Sequence, residues 1–201
     1  MRLKNIALLL SFVAFTTLLG CSRIKVTRSD INKQVDISGK WNDTDSRLVA
    51  EEMVKDCLNR PWVTRFTAIN NRQPVIIVGT ILNTTSEHIN SGLFTSDLER
   101  SLVNSDKAKF VANSQARLEL RTEKADQAEY SSQETAKPSR QETGADFMLQ
   151  GTINAIKDEV EGKYVILYQV NLELVDLTSN EKVWLGQKEI KKIVKRSLFG
   201  L

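Results

Sequence analysis

Few residues in this chain are of a kind that does chemistry, and their surroundings narrow the choice further. Cys21 and Cys57 are its only thiols. A thiol is the one side chain here nucleophilic enough to accept a lipid group. Cys21 ends an apolar run at Leu18-Leu19-Gly20, whereas Cys57 falls on the apolar stripe of an expected helix and reads as a small buried hydrophobe. The single histidine, His88, stands beside Glu87 in a polar stretch, and together they fall short of any ligand set that closes a zinc site. Asp43, Asp45, Glu51 and Glu52 cluster at a helix start, where capping and the helix dipole account for carboxylates without acid–base catalysis. No Gly-Lys-Ser/Thr phosphate loop, dinucleotide glycine pattern or Gly-x-Ser-x-Gly elbow occurs. The residues therefore offer no catalytic, cofactor-binding or metal set. Binding remains. Trp41, Trp62 and Trp184 all sit at element ends, where an aromatic ring either closes a core or anchors a partner. The reading of Trp184 is core packing. Trp41, flanked by turn-like polar residues, is either a lid over the following helix or a partner contact.

The elements that position these residues begin with a leader. Residues 1–20 carry Arg2 and Lys4, then the apolar runs Ile6–Ala14 and Phe15–Leu19, and a small residue at the cut. The Leu-Leu-Gly-Cys end resembles the lipobox of bacterial lipoproteins. That resemblance implies lipid attachment at Cys21, cleavage before it and acylation of the new amino terminus. Ser22 stands where an aspartate often retains such proteins at the inner membrane, so the outer membrane is the expected destination. Several acyl chains hold a protein at a bilayer far more firmly than one. No other stretch approaches the roughly 18 apolar residues of a membrane span.

The chain of 201 residues has 28 basic and 25 acidic residues. Arg2 and Lys4 belong to the leader, so the remainder is close to neutral and lacks the basic excess of a nucleic-acid binder. Only Lys188–Arg196 is locally basic. It reads as a solvated edge or tail, with a patch for anionic lipid or polymer as the alternative.

Residues 21–32 form the lipidated cysteine and a short polar tether, and residues 33–201 one domain with a basic C-terminal tail. A weak alternation over Lys33–Ser38 predicts a first strand. Asp43, Thr44 and Asp45 offer caps for a helix running to about Asn59, with Leu48, Val49, Met53 and Cys57 in its buried stripe. Pro61 opens a second helix through Trp62, Phe66 and Ile69. Val75–Leu82 is apolar throughout and predicts a central strand covered on both faces. A helix follows over Phe94–Val103, capped by Ser91 or Thr95, then an edge strand at Lys109–Ala112. Ser114–Tyr130 reads as a surface helix whose continuation Pro138 breaks. The last third predicts a meander: a strand over Ala145–Ile156, a connection at Asp158–Gly162, a long strand over Lys163–Asp176, and a return through Thr178–Glu181 into Lys182–Gly186. The fold class is α+β, a mixed or antiparallel sheet of about four or five strands with helices packed on it.

Three segments now support a family resemblance. Asp36–Ser46, Gly144–Gly151, and Leu172–Asp176 with Glu181-Lys182-Val183-Trp184 look like the LpoB-type outer-membrane lipoprotein activators of penicillin-binding proteins. The order of elements agrees over residues 33–186. Gly-Ala-Asp before a strand and Glu-x-x-Trp after a turn also recur in the amino-terminal domain of TolB and in the curli-export lipoprotein CsgG. The resemblance implies a non-catalytic protein, facing the periplasm, that binds and activates a bifunctional peptidoglycan synthase. The alternative is a structural or assembly lipoprotein of an outer-membrane export or surface complex. Well-known members carry a long proline-rich tether. Here residues 22–32 extend under about 40 Å, at roughly 3.5 Å per residue.

If Cys21 is the acyl acceptor, Cys21→Ser abolishes lipid labelling and leaves the precursor uncleaved. Metabolic palmitate labelling with gel mobility checks this, and unaltered labelling of the variant would refute the assignment.

Overall fold

The apolar run Val75–Val78 becomes the inside of a sheet. In a computed structural model these four residues are buried at the start of β1 (Val75–Asn83). Strands β2 (Lys109–Phe110), β3 (Phe147–Val160), β4 (Lys163–Asp176) and β5 (Lys182–Lys195) complete a five-stranded sheet in the order β2-β1-β3-β4-β5. β1 runs parallel to β2 and β3, while β3, β4 and β5 form an antiparallel meander. The structure describes residues 26–30, 33–137, 142–160 and 162–195. The leader, Cys21, parts of the tether, Pro138 and Arg196 lie outside them.

Helices α1 (Asp43–Leu58), α2 (Pro61–Asn70) and α3 (Ser91–Val103) supply the other layer. α1 packs on α3 and β5, and α3 packs on β1 and β2. Their inward residues, among them Val49, Met53, Cys57, Phe94, Leu98 and Leu102, meet Ile76, Leu149, Ile153, Tyr168, Val170, Leu172 and Leu174 of the sheet in one core. α2 joins it through Trp62 and Phe66, whose rings meet Phe147 edge-on at 5.0 and 5.3 Å. Helix α4 (Ser114–Tyr130) has no buried residue, as its charged sequence predicts. The inward face of β4 alternates as expected: Ile166, Tyr168, Val170, Leu172 and Leu174 are buried. The fold class agrees with the sequence reading: an α+β domain with a mixed five-stranded sheet and helices packed on it.

Several details differ. No strand forms over the described residues Lys33–Ser38. Val35 and Ile37 are 43% and 92% exposed, so their alternation puts nothing into the core, and Asp36 is drawn to other partners described below. The cap of α1 is Asn42, not Asp43 or Thr44: Asn42 and Asp45 exchange N–H-to-side-chain bonds of 3.0 and 2.9 Å, a complete capping box. Asn90, one residue earlier than expected, caps α3. Leu48 lies outside the core. β1 is fully covered only over its first four residues, and Leu82 is exposed. The connection expected at Asp158–Gly162 is tighter, because pairing continues to Val160 opposite Lys163. Of the two readings of the basic run, edge and tail, the structure shows the edge: Lys188–Lys195 continues β5, the edge strand, and pairs with β4 as far as Lys195 opposite Lys163.

The described residues of the amino-terminal unit (Met1–Gln34) form neither helix nor strand, and Lys33 N–H donates to the Asp30 carbonyl at 3.1 Å.

At Gly151, which stands opposite Leu172 in β4, an added Cβ would land on the Asn171 carbonyl oxygen and the Leu172 side chain. Backbone cannot yield there as a side chain can. Gly151→Ala is therefore expected to destabilise the fold by about 1–3 kcal/mol, read as a lower urea midpoint with an unchanged slope.

Candidate functional site

The family-like segments gather at two ends of the sheet. One end carries the β3–β4 hairpin, the other the β4–β5 turn.

Toward the hairpin end, residues 35–42 cross the helix-bearing side of β4 and β5 as a strap. Gly39 takes φ +71°, a conformation that suits glycine, and the Ser38 carbonyl accepts from the Tyr164 hydroxyl at 2.6 Å. Lys192 reaches inward from β5 and is 8% exposed. Its ammonium donates to Asp45 Oδ2 at 2.5 Å, Asp36 Oδ1 at 2.6 Å and the Lys40 carbonyl at 3.0 Å. Burial pulls its pKa down, but the hydrogen bonds to Asp36 and Asp45 outweigh that and hold it above the usual lysine value. Trp41 follows the strap. Its backbone N–H donates to the Tyr168 hydroxyl at 3.0 Å, and its indole Nε1 donates to Ser46 Oγ at 2.7 Å. Its ring meets Tyr168 and Phe94 edge-on at 5.5 and 6.1 Å. Tyr168 in turn donates to Glu87 at 2.7 Å. Trp41 is thus half-buried and tied down over the start of α1.

At the turn end, Asp146 joins three strands. Its carboxylate accepts from the Val75 N–H at 2.8 Å and from both terminal nitrogens of Arg72 at 2.6 and 2.7 Å. Its own N–H donates to the Val75 carbonyl, and its carbonyl accepts from Leu177. Nearby, Trp184 is buried, as the sequence predicts, and its indole N–H donates to Asp56 at 2.9 Å. An open groove of about 1410 Å³ lies here between α2 and the β4–β5 turn, with Arg65, Phe66, Ile69, Val183 and Leu185 along it. Ile69 and Leu185 are strongly exposed.

The carboxylates singled out at the start of α1 divide by role. Asp45 is buried in the Lys192 cluster, Glu52 pairs with Lys188 at 2.6 Å, and Glu51 lies 3.4 Å from Arg47. His88 is exposed. Cys57 is 2% exposed, and burial pushes its thiol up to about 12, the opposite of an activated nucleophile. Among the described residues no group of three metal-ligating side chains comes together. The sequence reading missed the inward role of Lys192. Its alternation with Val194 and Ile190 was the available signal.

The Arg72 hydrogen bond holds the Asp146 carboxyl below the usual aspartate value. A depressed folded-state pKa adds stability above the unfolded value of about 3.9, and that contribution is lost as pH falls through the folded value. Asp146→Asn is expected to cost roughly 1–3 kcal/mol near neutrality and to remove this part of the acid dependence. Urea midpoints measured from neutral pH to about pH 3 check both effects.

Comparison with known proteins identifies the family. No curated protein sequence matches the chain. Among solved structures, the LpoB C-terminal domain from Salmonella enterica is 17% identical over 65% of this chain and 93% of its own, with a TM-score of 0.34. The corresponding domain from Escherichia coli is 16% identical over 70% and 97%, with a TM-score of 0.36. A lipoprotein from Neisseria meningitidis is 12% identical over 60% and 83%, with a TM-score of 0.39. The family profile described as peptidoglycan-synthase activator LpoB matches residues 45–190, from the first turn of α1 into β5, and the chain belongs to that family.

Proposed function

We infer that the protein works as its family does: a non-catalytic outer-membrane lipoprotein, facing the periplasm, that binds and activates a bifunctional penicillin-binding protein in peptidoglycan synthesis. The family match across residues 45–190 carries this reading. The chemistry agrees with it. The buried thiol is unreactive, and the carboxylates engage helix caps, ion pairs and strand ends.

The anchor belongs to the same reading. Cys21 is the lipid attachment residue, and residues 22–32 are the tether, reaching under about 40 Å. The partner therefore has to meet the domain near the outer membrane. Trp41 enters such a contact only by the outer edge of its ring, since its indole N–H and inner face are engaged. The groove beside Arg65, Ile69 and Leu185 offers a larger apolar contact.

The chain from residue 22 onward, immobilised and offered detergent-solubilised membranes, is expected to retain a bifunctional penicillin-binding protein. Added to that enzyme, it should raise the rates of glycan polymerisation and cross-linking. Failure of both recovery and stimulation would overturn the reading. A closed ring in sedimentation would favour the assembly lipoprotein instead.

A further inference from the structure

The face of the sheet away from the helices ends, on the hairpin side, in an apolar patch. Ile156, Val160 and Ile193 are 70%, 66% and 67% exposed there. The strand register puts Leu167 beside Ile156 and Val165 beside Ile193 on the same face. Lysines border the patch. Lys191 stands opposite Leu167, and Lys195 and Lys163 face each other at the tip. None of these three has an ion-pair partner among the described residues. Asp158 lies within the patch and Glu189 beside Lys191 at its inner margin, where Glu189 accepts from Gln169 and Gln187. The helix-facing lysine, Lys192, is spent on Asp36 and Asp45 and takes no part.

Position in the chain identifies the occupant. The strap that leads from the tether into the domain is fixed at this same end, by Tyr164 on the Ser38 carbonyl and by Lys192 on Asp36. Exposed aliphatic side chains ringed by lysine stems suit a bilayer interface, where the stem lies in the apolar boundary and the ammonium reaches the headgroups. Unpaired ammonium groups favour anionic headgroups. A second copy of the chain would set like charges opposite one another, which disfavours a self-pairing through this face.

We propose that the Ile156–Val160–Ile193 patch with Lys163, Lys191 and Lys195 docks on the anionic phospholipid surface to which the chain is anchored. The domain then rests on the membrane by the hairpin end and presents the turn end, with its groove, away from it. The proposal rests on the reading of Cys21 as the acyl anchor.

The acylated protein reconstituted into vesicles tests it. A single reporter is attached at Ile193→Cys, or at Thr178→Cys on the turn end, while buried Cys57 stays unlabelled in the folded protein. Vesicles of phosphatidylcholine, alone or mixed with phosphatidylglycerol, carry a lipid-borne quencher. Quenching is expected at position 193 in the phosphatidylglycerol vesicles, to weaken with salt, and to be absent at 178. Lys163→Glu, Lys191→Glu and Lys195→Glu together should lower the docked fraction by about tenfold or more, with the melting transition intact and the protein still floating with the vesicles. A protein that floats while position 193 stays unquenched sinks this proposal alone and leaves the lysines as guards of an edge strand. Equal quenching at both positions also overturns it. A protein that does not float sinks the anchor reading, and the docking with it.

Discussion

A buried ammonium sets the architecture of one half of this protein. Lys192 is almost fully withdrawn from water, and a charge so placed must be paired and hydrogen-bonded or it becomes neutral. Asp45, Asp36 and the Lys40 carbonyl meet that demand. Asp45 also closes the capping box of α1, so the pairing of β5 and the start of the first helix are one arrangement. Asp36 brings the strap in, and the strap delivers Trp41 to Tyr168 and Phe94. A buried ion pair of this kind adds little net stability over a well-packed apolar pair, yet removing one partner strands the other.

The turn end is built on the same principle with the charges reversed. Asp146 is the acceptor, and Val75, Arg72 and Leu177 bring β1, the end of α2 and the end of β4 to it. Between these two junctions lies an apolar core that holds the buried thiol of Cys57. Polar residues hold the frame, and the surfaces left over are a groove at one end and a lysine-bordered patch at the other. A frame whose buried charges are engaged in structure, with exposed apolar groups left at its two ends, suits a protein that acts by binding, as its family does.

What could be read from the sequence follows the strength of periodicity. β4 was legible to the residue because its inward side chains are apolar without interruption from Ile166 to Leu174. β1 was legible as an apolar strand, though only its first four residues are covered on both faces, and α3 as a helix, though it begins three residues before the expected Phe94. β5 was cut short because lysines occupy both faces of its second half, and a charged residue at an inward position imitates a solvated edge. Only the partners of Lys192, some 150 residues earlier in the chain, convert that pattern into a strand. The strap misled in the opposite sense. Val35 and Ile37 alternate like strand residues, but hydrogen bonds from side chains far along the chain fix this segment, and among the described residues no strand pairs with it. Trp41 could be read as a lid or a contact because an aromatic in a polar turn carries no signal for which way its ring turns.

The short tether changes meaning once the two ends are distinguished. A domain hung at random from residues 22–32 would bring its partner surface no farther than the tether and half its own width. The strands of the meander are 14 residues long, which at about 3.3 Å per residue is roughly 45 Å from hairpin to turn. If the hairpin end, where the strap is fixed, rests against the lipid as proposed, the whole strand length adds to the reach of the turn end. In that orientation the sheet itself would do part of the spanning, without the entropy loss of stretching a flexible chain. A rigid spacer also fixes the direction in which the groove faces, which a longer flexible tether would leave free.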